Sequence, residues 1–320
     1  MTKVRGGGRP LRTILALLVL AGLAAFAPAV SAAADKTYAV GKRSYTFVDT
    51  TRPTAANGTY AGAPTRTLPT LLLYPAKGDA TGAAVENAPA VRRRQRFPLV
   101  VFSHGFTASG PAYQGVLERI VRAGYVVALP TFPLSNGAAP GKPTISDYVN
   151  QPGDVSFVLD RVLRIGRNAR SLNQTISRTA IGAVGHSLGA ITTLGVATNS
   201  CCLDRRIDAA VAWSGIQLSF AGGSFYSIRT PPLMLIHGSA DRTVPFVGSS
   251  NAYDKAPAPK ALVTLENGPH TPFGAPYFDP TTKSTTDWLD RYLKGERGAL
   301  RQLAVDATIP NVASLKLKLR

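Results

Sequence analysis

Thr179-Ala180-Ile181-Gly182-Ala183-Val184-Gly185-His186-Ser187-Leu188-Gly189-Ala190-Ile191-Thr192-Thr193-Leu194-Gly195-Val196-Ala197 holds the deciding pattern of this 320-residue chain. A strand-like run, Thr179 to Val184, passes through Gly-x-Ser-x-Gly into a helix-like run, Ala190 to Ala197. That order describes a sharp strand-to-helix turn. The serine sits strained at its apex with the hydroxyl lifted clear of a sheet, and the glycines let strand and helix pack closely. Ser187 is therefore the candidate nucleophile.

Outward from this turn, apolar runs of strand length alternate with helical patterns. The runs are Leu68 to Tyr74, Phe97 to Ser103, Tyr125 to Leu129, Ala180 to Val184, Ala209 to Trp213, Leu233 to Ile236 and Ala261 to Leu265. Helices are expected over Tyr113 to Ala123, Pro152 to Ile165, Ala190 to Ala197 and Thr285 to Leu293, with Asp154 in the favourable field of the second helix's N-terminus. Such alternation specifies an α/β fold, a mostly parallel, doubly wound sheet with helices on both faces. Tyr38 to Val48 alternates like an antiparallel edge strand, and Leu315 to Arg320 reads as a docked edge strand or a frayed tail. Phe132 to Val149 and Ser214 to Pro232 follow strands at the edge where such sheets carry ligands. They are pocket walls or ordinary mobile loops.

A serine hydroxyl is a weak nucleophile and needs a base to take its proton and an acid to orient that base. The chain has four histidines. His186 adjoins Ser187 and points away from its hydroxyl, while His104 and His237 stand immediately after strands. His270, in a loop beyond Leu262 to Leu265, is the candidate base. Asp241, beyond the strand ending at Ile236, is the candidate acid, with Glu266 the runner-up. Serine, aspartate and histidine then follow one another in the chain order of one known class of triad. An oxyanion needs backbone N–H donors. Leu188, after the nucleophile, and Phe106, after the strand Leu99 to Phe102, are placed to supply them.

The ends and the composition bound the rest. Lys3, Arg5, Arg9 and Arg12 precede an apolar run, Ile14 to Ala27, and small residues at Val30-Ser31-Ala32, the pattern of a secretory signal peptide over residues 1–32. Export by the general route is expected, since no paired arginines precede the run and no cysteine follows it. Residues 33–320 then form a single domain, and losing the four N-terminal basic side chains takes the formal charge from +18 to +14. Such a chain is drawn to anionic surfaces. Arg161, Arg164, Arg167 and Arg170 recur along a helix, and Arg92 to Arg94 with Arg96 form a second cluster, but no nucleic-acid motif accompanies them. Cys201 and Cys202, the only cysteines, form a vicinal disulfide or remain two thiols. No second Cys/His pair lies at ligand spacing, so no metal site is expected.

Taken together, Arg66 to Pro75, His104-Gly105-Phe106, Gly185 to Gly189, His237-Gly238-Ser239-Ala240-Asp241 and Pro269-His270 resemble the α/β-hydrolase superfamily. Within it they are similar to the dienelactone hydrolase, platelet-activating-factor acetylhydrolase-like and cutinase-like group of secreted serine esterases. The resemblance implies a monomer without cofactor that cleaves a small-molecule, lipid or polymer ester. Lipase, polyester-degrading and acyltransferase variants of the same triad are the alternatives, and a silent binding scaffold the remotest. Trp213 resembles the tryptophan with which polyester-degrading cutinases clamp the acyl group, so it and His104 are expected at the substrate pocket. Two departures stand out. Dienelactone hydrolases proper carry cysteine where Ser187 stands, and cutinases usually carry methionine in place of Leu188.

Overall fold

Strands that sit between two helical layers are apolar on both faces, so they read as unbroken apolar runs. All such runs in this chain are strands in the computed structural model, which describes residues 1–2, 37–167, 172 and 174–320. Arg170 and the segment read as a signal peptide, except its first two residues, lie outside the described residues.

In chain order the strands are β1 (Ala39–Asp49), β2 (Arg66–Ala76), β3 (Val85–Glu86), β4 (Phe97–Ser103), β5 (Val126–Pro130), β6 (Ile176–His186), β7 (Ala209–Trp213), β8 (Leu233–Gly238), β9 (Lys260–Leu265) and β10 (Ala313–Lys318). They form one sheet in the order β10-β9-β8-β7-β6-β4-β5-β2-β1-β3. The stretch from β5 to β9 is parallel throughout. β2 pairs antiparallel to β5, β1 to β2, and β10 to β9. The C-terminal alternation is thus a docked edge strand. β1 is antiparallel as expected but is not the edge, because the two-residue β3 pairs beyond it.

The helices are α1 (Gln114–Arg122), α2 (Gln151–Ile165), α3 (Leu188–Thr198), α4 (Val247–Lys255), α5 (Phe278–Leu289) and α6 (Ala299–Asp306). α2, α3 and α4 bury Val158, Leu194 and Ala252 against one face of the sheet. α1, α5 and α6 bury Leu117, Trp288 and Leu303 against the other. β4 shows why two layers are needed: Leu99 and Val101 enter the first core, Val100 and Phe102 the second. Two helices, α4 and α6, escape the sequence reading, and α5 begins earlier than the pattern suggests.

Asp154 does lie in the first turn of α2, but its partners are side chains. Arg66, at the start of β2, spans Asp154 (2.6 Å) and Asp147 (2.9 Å), and Arg52 adds a second cation beside Asp154 (2.7 Å). Arg66 and both aspartates are buried. This cluster joins β2 to α2 and to the loop before it. Cys201 and Cys202 are joined as a disulfide, just beyond α3.

Candidate active site

Ser187 stands between the last residue of β6 and the first of α3 with φ 56° and ψ −120°. A serine in that region costs roughly 1–3 kcal/mol and persists only where its surroundings hold it. Here its N–H donates to the carbonyl of Trp213 (2.9 Å), and its own carbonyl accepts from Ala190 (2.9 Å) and Ile191 (3.2 Å). The flanking glycines are steric requirements. A Cβ on Gly185 would lie 2.2 Å from the Gly189 carbonyl oxygen, and one on Gly189 would lie 2.0 Å from that of Ser103. The turn therefore closes onto the end of β4.

The other two residues arrive from neighbouring parallel strands at the same sheet edge: Asp241 just past β8, and His270 just past β9. Nε2 of His270 lies 2.9 Å from Ser187 Oγ, and its Nδ1 lies 2.7 Å from Asp241 Oδ2. Asp241 Oδ1 accepts from the backbone N–H groups of Thr243 (2.8 Å) and Val244 (2.9 Å). Burial alone would push this carboxyl up. The hydrogen bonds from His270, Val244 and Thr243 outweigh it and hold the carboxyl below its ordinary value. An ionised acceptor facing Nδ1 fixes the tautomer in which Nε2 is free to take a proton from Ser187. Glu266 takes no part; its Oε1 accepts from Ser314 Oγ.

Comparison with known proteins agrees with this arrangement of sheet and turn. Residues 58–132 match the family of platelet-activating factor acetylhydrolase, isoform II, a span that includes His104-Gly105-Phe106 but not Ser187, Asp241 or His270. No curated protein matches the sequence. Among solved structures, a ferulic acid esterase from Streptomyces cinnamoneus is similar over 81% of this chain and 91% of its own, at 20% identity and a TM-score of 0.63. The fold is that of the α/β-hydrolases.

On this α/β-hydrolase frame the remaining expected residues separate. Phe106 is half-buried beside Ser187: a Cβ on the preceding Gly105 would lie 3.3 Å from Ser187 Cβ. Leu188 opens α3, where the first N–H groups have no partner inside the helix. His104 and Trp213 do not line a pocket, since both are fully buried. His104 accepts from the N–H of Phe132 (2.9 Å) through Nε2 and faces the Gly105 carbonyl (2.8 Å) through Nδ1, so it ties the β4 and β5 loops together. Burial pushes it down to about 4. Trp213 lies on the sheet face covered by α5, where its Nε1 donates to Thr285 Oγ1 (3.0 Å). A residue's position along a strand is legible in sequence, but which layer it enters is set by register.

The long loops do meet beside the nucleophile. Leu188, Ile191 and Phe220 form a small apolar cluster edged by Phe106, Tyr148, Ile216 and Leu218, and Tyr148 Oη donates to the Ser219 carbonyl across the two loops. Tyr113 and His186 are unforeseen members of the site. Tyr113 Oη accepts from the N–H of Gly105 (3.2 Å) and lies 2.7 Å from His186 Nδ1, while His186 Nε2 donates to the His270 carbonyl (2.8 Å). Burial pushes His186 down to about 4, so the ring is neutral and Tyr113 supplies the proton to Nδ1. One buried chain thus fixes both the Gly105 loop and the loop of His270. Among the described residues no cluster of three or more His, Cys, Asp or Glu is placed to hold a metal ion, and no helix is long and apolar enough to cross a membrane.

Proposed function

We propose that the chain is a serine hydrolase of carboxylic esters, exported by way of residues 1–32. The observation that carries this reading is the unbroken line from Ser187 Oγ through His270 to Asp241, with both links at hydrogen-bond distance. The match to an acetylhydrolase family and the likeness to a ferulic acid esterase support it. Ser187 attacks the ester carbonyl while His270 Nε2 takes its proton. The oxyanion is met by the N–H groups of Leu188 and Phe106, His270 returns the proton to the departing alcohol, and water repeats the sequence on the acyl-enzyme. Asp241 remains ionised throughout and stabilises the imidazolium. The apolar cluster around Ile191, Phe220 and Leu218 favours an ester with an apolar part on that side.

The test is a p-nitrophenyl ester series from acetyl to palmitoyl, measured on the protein and on Ser187→Ala. Hydrolysis should fall by at least ~10³-fold in the variant with its melting temperature retained, because triad losses act on the chemistry. Undiminished hydrolysis by Ser187→Ala would refute the assignment.

A further inference from the structure

His237, at the end of β8, is completely buried and stands outside the triad. Its Nε2 lies 3.0 Å from Asp241 Oδ2 and 3.0 Å from the Val244 carbonyl oxygen. Both atoms only accept while Asp241 is ionised, so Nε2 carries a proton. Nδ1 lies 2.7 Å from the Oγ of Ser249 on α4, which itself is 3.1 Å from the Gly215 carbonyl. Burial disfavours a second proton on the ring. The two acceptors at Nε2 therefore fix the Nε2–H tautomer, and the single hydrogen of the Ser249 hydroxyl lies between Nδ1 and the Gly215 carbonyl. The Phe246 ring, edge-on at 5.7 Å, holds the imidazole plane. The titratable groups that face His237 are Asp241 and His270, with His186 beyond them.

Asp241 Oδ1 receives two backbone N–H groups, and Oδ2 receives two imidazole N–H groups, one from each histidine. A carboxylate so filled cannot rotate, and three of its four donors, the Thr243 and Val244 N–H groups and His237 Nε2–H, share its charge without taking part in the proton transfer. An apolar residue at position 237 would fill the same space yet leave Oδ2 with one donor and the Val244 carbonyl with none.

We propose that His237 is a positioning residue of the triad: its Nε2–H holds Asp241 Oδ2 in line with His270 Nδ1 and tempers the negative charge that His270 sees. The assignment rests on the triad reading above and is independent of the substrate. Losing this donor makes the carboxylate a stronger partner for the His270 imidazolium, so His270 keeps its proton to higher pH and is available as a base over a narrower range.

The test compares His237→Phe, which keeps bulk but no donor, with His237→Gln, which keeps a donor near the Nε2 position. The first readout is the rate at which a fluorophosphonate modifies Ser187 across the pH range, and the second is the NMR titration of His270. In His237→Phe the acid limb of the modification profile should move up by about one pH unit, and the plateau rate should fall about tenfold, the size of one lost hydrogen bond to a charged group. His237→Gln should restore the limb. A His237→Phe protein with the parental limb and plateau and only a lower melting temperature overturns the proposal. Should that variant fail to fold, His237→Leu, smaller and equally without a donor, must move the limb the same way; an unmoved limb likewise overturns it. If the unaltered protein is not modified at Ser187, the hydrolase reading fails, and the His270 titration still decides the role of His237 separately.

Discussion

Two buried histidines, His104 and His186, give individual residues a measurable hold on stability. His104 and His186 are both pushed by burial from 6.5 to about 4, and each already uses its second nitrogen in a hydrogen bond. In the unfolded chain they take up a proton as pH falls through 6.5, whereas the folded chain refuses it until about pH 4. Their contribution is therefore complete above pH 6.5 and is lost between there and about pH 4, by roughly 3 kcal/mol for each ring. Urea unfolding at pH 7 and pH 5 should show about 2 kcal/mol of that loss for each ring, and His104→Gln should be less stable at pH 7 but distinctly less sensitive to acid. Equal pH dependence in the two proteins would remove His104 from the account. The sequence made Ser187, Asp241 and His270 legible because each follows a strand and their chain order is diagnostic. It hid the roles of His104, His186 and His237, since a histidine after a strand looks alike whether it reacts, braces a loop or supports the acid.

Between elements, the Arg66 cluster is a fully buried link. The guanidinium sits at the first residue of β2 and holds carboxylates from the first turn of α2 and from the short 3-10 segment Ile145–Asn150, which also carries Tyr148 of the apolar cluster. Breaking it by Arg66→Met leaves two buried carboxylates without their main counter-charge. That should cost about 3–5 kcal/mol in chemical denaturation, well beyond a surface pair. Arg66→Met combined with Asp147→Asn and Asp154→Asn should regain part of the loss; no recovery would mean that packing, and not charge, is what Arg66 supplies. None of this could be read beforehand, because the partners lie 81 and 88 residues away. The strands were legible for the opposite reason, their burial being written in consecutive residues. α4 and α6 were not, since α4 is rich in small polar residues and α6 follows the α5 region with only Leu300, Leu303 and Val305 to mark an apolar stripe.

Over the whole molecule, one basic cluster lies at the opposite end of β6 from Ser187. β6 runs from Ile176 to Ser187's doorstep at His186, about 30 Å for its eleven residues. The C-terminal part of α2 packs at the strand's start, where a Cβ on Gly166 would lie 3.2 Å from Ile176 Cβ. That far end carries Arg164, Arg167 and Arg178 around a cavity of about 360 Å³, with Asp160 already held by Arg206. Arg161 and Arg164 border a neighbouring cleft with Phe47. Residues 168–173 contain no acidic side chain, so the intervening segment brings no countercharge. A surface so charged is attracted to anionic interfaces with a reach set by ionic strength. The protein should accordingly sediment with anionic vesicles at low salt and be released as the screening length falls toward ~3 Å near 1 M salt. A triple Arg164→Glu, Arg167→Glu, Arg178→Glu variant should lose most of that association yet hydrolyse soluble esters at the parental rate, because none of the three residues touches the catalytic edge. Undiminished association would place the contact elsewhere on this basic chain, and a parallel loss of hydrolysis would mean that the two ends of the sheet are coupled.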